Sequence, residues 1–117
     1  MTGIEWLIET FGCAEARLRD RLLLSELFET IIGRMELRPV GKPVWHVFPD
    51  HGGVTGIWLL QESHLAIHTF PEYFSACINI FSCMPRVPLD WTQLFFNSLG
   101  ATDVRVRECE RSYHRLC

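Results

Sequence analysis

Val54-Thr55-Gly56-Ile57-Trp58-Leu59-Leu60-Gln61-Glu62-Ser63-His64-Leu65-Ala66-Ile67-His68-Thr69-Phe70-Pro71-Glu72 is the stretch on which the reading of this chain turns. Val54 to Leu60 is a nearly continuous apolar run, the pattern of a strand covered on both faces. Leu65 to Phe70 is a second strand. One serine, two histidines and two carboxylates fall between Gln61 and Glu72, in an otherwise apolar sheet region. Polar groups on core strands cost about 1–3 kcal/mol each unless they are paired. The cluster therefore needs a hydrogen-bond network or a function, and serine and histidine near strand ends are more often simply satisfied. An HxxxH spacing at His64 and His68 also resembles a pair of zinc ligands on a helix. The segment reads as a strand and lacks the glutamate of HExxH, so no metal is expected.

Downstream, Ala76 to Cys83 alternates, with Ala76, Ile78 and Ile80 on one face and Cys77, Asn79, Phe81 and Cys83 on the other. Pro85 and Pro88 separate it from a helix over Leu89 to Leu99, which Gly100 stops. Val104 to Cys109 closes the chain as a strand. Upstream, His51-Gly52-Gly53 is a loop and Val44 to Phe48 is extended. Ala14 to Arg34 reads as one amphipathic helix, its stripe formed by Leu18, Leu22, Leu27, Ile31 and Met35. Pro39 and Gly41-Lys42-Pro43 break it. Ile4 to Phe11 is a strand that ends at Gly12.

This order predicts an α+β fold, a two-layer sandwich of a mainly antiparallel sheet with helices on one face. The uncovered face needs a partner, and a homodimer formed sheet to sheet would supply it.

The bulk numbers narrow the classes. At 117 residues the chain fits a single domain over 1–117. It is 48% hydrophobic, enough for a packed core. The net charge is −3, and the basic stretch Arg105 to Arg115 is interrupted by Glu108 and Glu110, so no nucleic-acid partner is expected. No apolar run reaches membrane-spanning length, and the N-terminus has no signal-peptide pattern. Five cysteines at irregular spacings, without a CxxC pair, disfavour a disulfide scaffold or structural zinc and point to a reducing cytoplasm.

Glu62-Ser63-His64-Leu65-Ala66-Ile67-His68-Thr69-Phe70-Pro71-Glu72 resembles the ESHxxxHTWPE signature of prokaryotic S-adenosylmethionine decarboxylase proenzymes, which are pyruvoyl-dependent. Gly53-Val54-Thr55-Gly56 is similar to the family's GVSG lead-in, and Ile78-Asn79-Ile80-Phe81-Ser82-Cys83 to its VDVFTC strand. Glu5-Trp6-Leu7-Ile8-Glu9 and Phe11 resemble its opening strand. The match runs from about Gly3 to Cys83, with the closing helix and strand fitting more loosely.

The resemblance implies self-cleavage between Glu62 and Ser63. The serine hydroxyl attacks the preceding carbonyl, and the ester eliminates to leave a pyruvoyl group, made from Ser63, as the cofactor. The products are a β chain, 1–62, and an α chain, 63–117. His68 matches the processing base, for which imidazole is suited by a pKa near neutrality. Thr55, where the family has serine, matches a hydroxyl of the processing network. Cys83 matches the acid that protonates the substrate's α-carbon; by its residue type alone it is a buried inert cysteine. Glu72 matches the carboxylate that holds ribose hydroxyls, Phe48 an aromatic that stacks on adenine, and Leu65 a source of backbone groups beside it. His64 belongs to the signature without a direct catalytic role. Glu9 is a structural or a processing carboxylate. Cys13, Cys77, Cys109 and Cys117 are read as packing.

Ser63 and His68 are five residues apart, so a regular strand puts them on opposite faces. Joint service in one site would need a bulge or turn between them, or at Ser63 itself. Phe70 and Met84 depart from the family pattern and touch the expected pocket wall. The expected activity is decarboxylation of S-adenosylmethionine for spermidine synthesis by a homodimer of cleaved protomers. L-Ornithine or L-arginine as substrate, or a non-catalytic homologue, are the alternatives.

Overall fold

The computed structural model describes residues 2–115; Met1, Leu116 and Cys117 lie outside them, so the reading of Cys117 has no structural counterpart. The elements are β1 (Thr2–Phe11), α1 (Glu15–Leu18), α2 (Arg21–Arg34), β2 (Val44–Val47), β3 (Val54–Leu59) and β4 (Ser63–Phe70). A 3-10 turn at Pro71–Tyr73, β5 (Ser75–Ser82), α3 (Trp91–Leu99) and β6 (Asp103–Ser112) complete the chain. The strands form one six-stranded sheet in the order β2-β3-β4-β5-β1-β6. Every pairing is antiparallel. The α+β architecture with helices on one face is as the sequence predicts.

Strand periodicity sorts the side chains. Trp6 and Ile8 of β1, Val54 and Trp58 of β3, Leu65 and Ile67 of β4, and Ile78 and Ile80 of β5 point to the helices and are buried. They meet Leu24, Leu27, Phe28 and Ile31 of α2 and Leu94, Phe95 and Leu99 of α3 in a single core. Phe28 packs against the rings of Trp45 and Trp58 at 4.8 and 6.3 Å. Gly56 lets Trp45 lie flat on the sheet, since a Cβ there would meet the Trp45 ring 2.2 Å away.

Three expectations are corrected. The helix read over Ala14 to Arg34 is two helices. Asp20 leaves the helical conformation between them, and its carboxylate caps α2 by accepting the Leu23 N–H at 3.1 Å. Local side-chain capping here outweighs a continuous apolar stripe. The second correction concerns β3, which is covered on one face only in the single chain. Ile57 and Leu59 point away from the helices and are 47% and 59% exposed. The closing helix starts later than read, because Asp90 caps it by accepting the Gln93 N–H.

Among the described residues no helix is long and apolar enough to cross a membrane. Among them, too, no group of three or more His, Cys, Asp or Glu could hold a metal ion.

Candidate active site

The chemistry-bearing residues divide between the two ends of β4. At its start, Gln61 and Glu62 form the tight link from β3, closed by a Leu60 N–H to Ser63 carbonyl bond of 2.9 Å. Two neighbouring segments strap this turn. The Arg38 carbonyl accepts the Gln61 N–H at 2.8 Å, and the Glu62 carbonyl accepts the Cys83 N–H at 2.8 Å. The peptide between Glu62 and Ser63 thus has its carbonyl oxygen on a fixed donor, one residue past the end of β5. Such a donor stabilises negative charge on that oxygen when a nucleophile adds to the carbonyl.

The Glu62 side chain is turned inward, with none of its surface exposed. Its carboxylate accepts the Arg38 backbone N–H at 2.9 Å and Arg38 Nε at 3.1 Å. Arg86 Nη2 stands 3.9 Å from the same carboxylate. A charge so buried persists only when paired and hydrogen-bonded. Sequence reasoning missed Arg38 and Arg86: each is an ordinary arginine beside a proline, and only folding brings them to the turn. Cys83 is free and half-buried, and its carbonyl accepts the Tyr113 hydroxyl at 3.0 Å.

At the other end, Thr55 on β3 is the register partner of His68 on β4. Thr55 Oγ1 and His68 Nδ1 are 3.1 Å apart. They open on a cleft of about 320 Å³ whose lining includes Phe48, Asp50, His51, Phe70 and Glu72. Glu72 faces His51 Nε2 at 3.8 Å, and Phe48 lies edge-on to His46 at 4.5 Å between centroids. Phe48 and Glu72 therefore share one cavity with Thr55 and His68. A hydrophobic wall with a two-oxygen acceptor at its rim suits a ligand with a flat ring and adjacent hydroxyls.

No bulge joins the two ends. β4 pairs with β5 in unbroken register from Ser63↔Ser82 to Phe70↔Ser75. The irregularity lies at Ser63 itself, which follows the turn with a positive φ of 159°, but from there the ladder runs on unbroken, and His68 is five residues along it, roughly 16 Å away at the usual rise. Ser63 keeps the parity of Leu65 and Ile67, and His68 lies on the opposite face. Leu65 is fully buried toward the helices and paired on both sides, to Trp58 and Ile80. Its backbone lies in the ladder between β3 and β5.

The open face between the ends carries a polar chain. Asn79 donates its amide to the Glu5 carboxylate at 2.8 Å and turns its carbonyl to His64 Nε2 at 2.6 Å. His64 Nε2 is therefore the protonated nitrogen of that contact. Arg111 also binds Glu5. The Asn79 hydrogen bond, and after it Arg111, hold the Glu5 carboxyl below its ordinary value against the opposing effect of burial. Glu9, undecided on sequence, pairs with Arg107 at 3.2 Å. Cys77, opposite His68 in the register, is exposed rather than packed, and partial loss of solvent around its sulfur, then the nearby Glu9 charge, raises its thiol pKa. His64 and His68 sit on one face of a strand, about 13 Å apart along it, too far to share a metal ion.

Comparison with known proteins bears on the family and the fold. The model of the family described as S-adenosylmethionine decarboxylase matches residues 4–112. The S-adenosylmethionine decarboxylase proenzyme of Moorella thermoacetica is 35% identical over 112 residues, covering 93% of this chain and 86% of that one. That of Archaeoglobus fulgidus is 36% identical over 83 residues, covering 71% and 72%. The crystal structure of the adenosylmethionine decarboxylase of Aquifex aeolicus superposes with a TM-score of 0.79 at 25% identity, covering 97% of this chain and 92% of that one. The family match over residues 4–112, the relatives at 35% and 36% identity and the shared fold place this protein in the S-adenosylmethionine decarboxylase family.

Proposed function

We propose that this chain is a self-processing, pyruvoyl-dependent decarboxylase of S-adenosylmethionine, cut between Glu62 and Ser63 into a β chain of 1–62 and an α chain of 63–117. The observation that carries the reading is the Cys83 N–H bond to the Glu62 carbonyl, at 2.8 Å. It holds the bond to be broken against the residue assigned as acid. The turn also fits the self-made group, since Arg38, Cys83 and the buried Glu62 carboxylate would keep the new end at Glu62 in place after the cut.

The pyruvoyl ketone supplies the electron sink that decarboxylation requires. Cys83 Sγ returns a proton to the substrate's α-carbon after carbon dioxide leaves. The cleft beside His68 binds the nucleoside part, with Glu72 accepting from ribose hydroxyls and Phe48 against the adenine. That division of labour favours S-adenosylmethionine over ornithine or arginine, which have no flat ring to cover Phe48.

The working unit is a homodimer. A two-fold axis through the open face near Ala66 would set the Ser63–Cys83 end of one β4 against the Thr55–His68 end of its partner. The exposed Ile57 and Leu59 on that face support such burial. Each site would then take its cleavage turn from one protomer and its base and substrate cleft from the other.

Intact mass under denaturing conditions, together with carbon dioxide release from S-adenosylmethionine, ornithine and arginine side by side, tests the reading. Two fragments meeting at Glu62/Ser63 and release from S-adenosylmethionine are expected. Ser63→Ala should stay whole, and Cys83→Ala should be cut yet turn over on the order of 10²-fold more slowly. Persistently uncut, active wild type would end the pyruvoyl account.

A further inference from the structure

Arg86 stands beside the Glu62 side chain with part of its hydrogen-bonding capacity used, its Nη1 donating to the Pro85 carbonyl at 2.8 Å. Its Nε is buried and has no hydrogen-bond partner among the described residues. Its Nη2 is 3.9 Å from the Glu62 carboxylate, beyond hydrogen-bond range. Arg38, by contrast, binds that carboxylate with both its backbone N–H and its Nε. The side chain of Glu62 is therefore satisfied without Arg86. A buried guanidinium donor left unpaired costs free energy, so its position calls for an acceptor beyond those the described residues offer it.

Self-cleavage creates one. Resting on the processing proposed above, the steps balance as follows. Ser63 Oγ adds to the Glu62 carbonyl carbon, its proton passes to the Ser63 nitrogen, and the C–N bond breaks to leave an ester and a free amine. Loss of the Ser63 α-proton to the processing base forms the Cα–Cβ double bond. The Cβ–O bond breaks, and its electron pair leaves on Glu62 as a new α-carboxylate. Water then converts the aminoacrylate end to the ketone and releases ammonia. The second stage puts a new full negative charge next to the buried side-chain carboxylate of the same residue. Two carboxylates so close in a site of low dielectric repel strongly unless a cation stands between or beside them.

We propose that Arg86 is the waiting counter-ion of this leaving carboxylate. It engages the Glu62 α-carboxylate as the ester eliminates and afterwards holds the C-terminus of the β chain in the sheet. Guanidinium suits the task, because its planar fork pairs a carboxylate through two parallel N–H bonds. Its predicted effect is confined to the elimination, since the earlier acyl shift generates no carboxylate.

Processing is followed in full-length chains made by cell-free translation, quenched over time and weighed under denaturing conditions. Hydroxylamine added at quench cuts any chain arrested as the ester. Arg86→Met should slow formation of the ketone-bearing fragment on the order of 10²-fold and leave a whole mass that hydroxylamine splits at Glu62. Arg86→Lys, which keeps the charge but not the fork, should recover part of the rate. The double variant Glu62→Gln/Arg86→Met removes the buried charge that Arg86 could otherwise merely neutralise, and serves as well if Arg86→Met alone fails to fold. It should remain slow and ester-trapped relative to Glu62→Gln. If wild type is cut and Arg86→Met, or the double variant against Glu62→Gln, is cut equally fast with no hydroxylamine-sensitive species, Arg86 has no such role. An uncut wild type overturns the decarboxylase reading and this inference together.

Discussion

Thr55 Oγ1 lies 3.1 Å from His68 Nδ1 across the β3–β4 ladder, at the end of β4 remote from Ser63. The hydroxyl fixes the ring's rotation and leaves Nε2 for chemistry on the open face. Serine, with the same hydroxyl and no methyl, should replace it. Thr55→Ser should self-cleave within a few-fold of wild type. Thr55→Ala should be roughly 10–100-fold slower, as read from the fraction cut over time by intact mass. Equal rates for Thr55→Ala and wild type would remove Thr55 from the processing network.

The separation of Ser63 from His68 along an unbroken strand makes a stronger prediction. Alone, Ser63→Ala and His68→Ala chains should each stay uncut. Co-expressed, they should form mixed dimers in which one site unites Ser63 from the His68→Ala chain with His68 from the Ser63→Ala chain. Cleavage should then appear, and only in His68→Ala chains. Fragment masses from differently tagged chains distinguish this outcome. Continued absence of cleavage in proven mixed dimers would mean that the two ends do not cooperate across an interface.

Glu62 has a structural role separable from the cut. Its side chain is buried between Arg38 and Arg86. On an uncut Ser63→Ala background, Glu62→Ala should cost about 3 kcal/mol, toward the low end for breaking a buried pair because Arg38 is partly solvated. Urea unfolding measures it. Glu62→Gln, which keeps an acceptor for the Arg38 N–H, should lose less.

Glu5 predicts an acid-side effect. Its folded carboxyl pKa lies below the ordinary value of 4.5. Ionised Glu5 therefore favours the folded state above the ordinary value, and this contribution is lost as pH falls through the depressed folded pKa. Glu5→Gln should show a shallower fall in stability below about pH 4.5 than its parent, measured by unfolding at a series of pH values. A parallel acid limb in both proteins would show that the Asn79 and Arg111 contacts do not shift Glu5.

The signature around Ser63 was legible as a line of residues because its chemistry is local: a serine can attack only the carbonyl beside it. The sheet was legible too, since alternation in β5 and apolar runs in β3 and β4 reflect burial by neighbours along each strand. The break at Asp20 was not, because a capping carboxylate and an uninterrupted leucine stripe give opposite signals, and packing of α1 and α2 settles which prevails. Nor could the sequence find Arg38 and Arg86 at the turn.

The order of residues by itself determined the family and most of the elements, for these depend on short-range patterns and on directly adjacent groups. Only the tertiary structure decided that Thr55, His68, Phe48 and Glu72 share a cleft and that Ser63 stands apart from them with Glu62, Arg38, Cys83 and Arg86. Those groupings are contacts between segments distant in the chain, fixed by sheet register and core packing, and the even spacing of a regular strand keeps its two ends from meeting within one molecule.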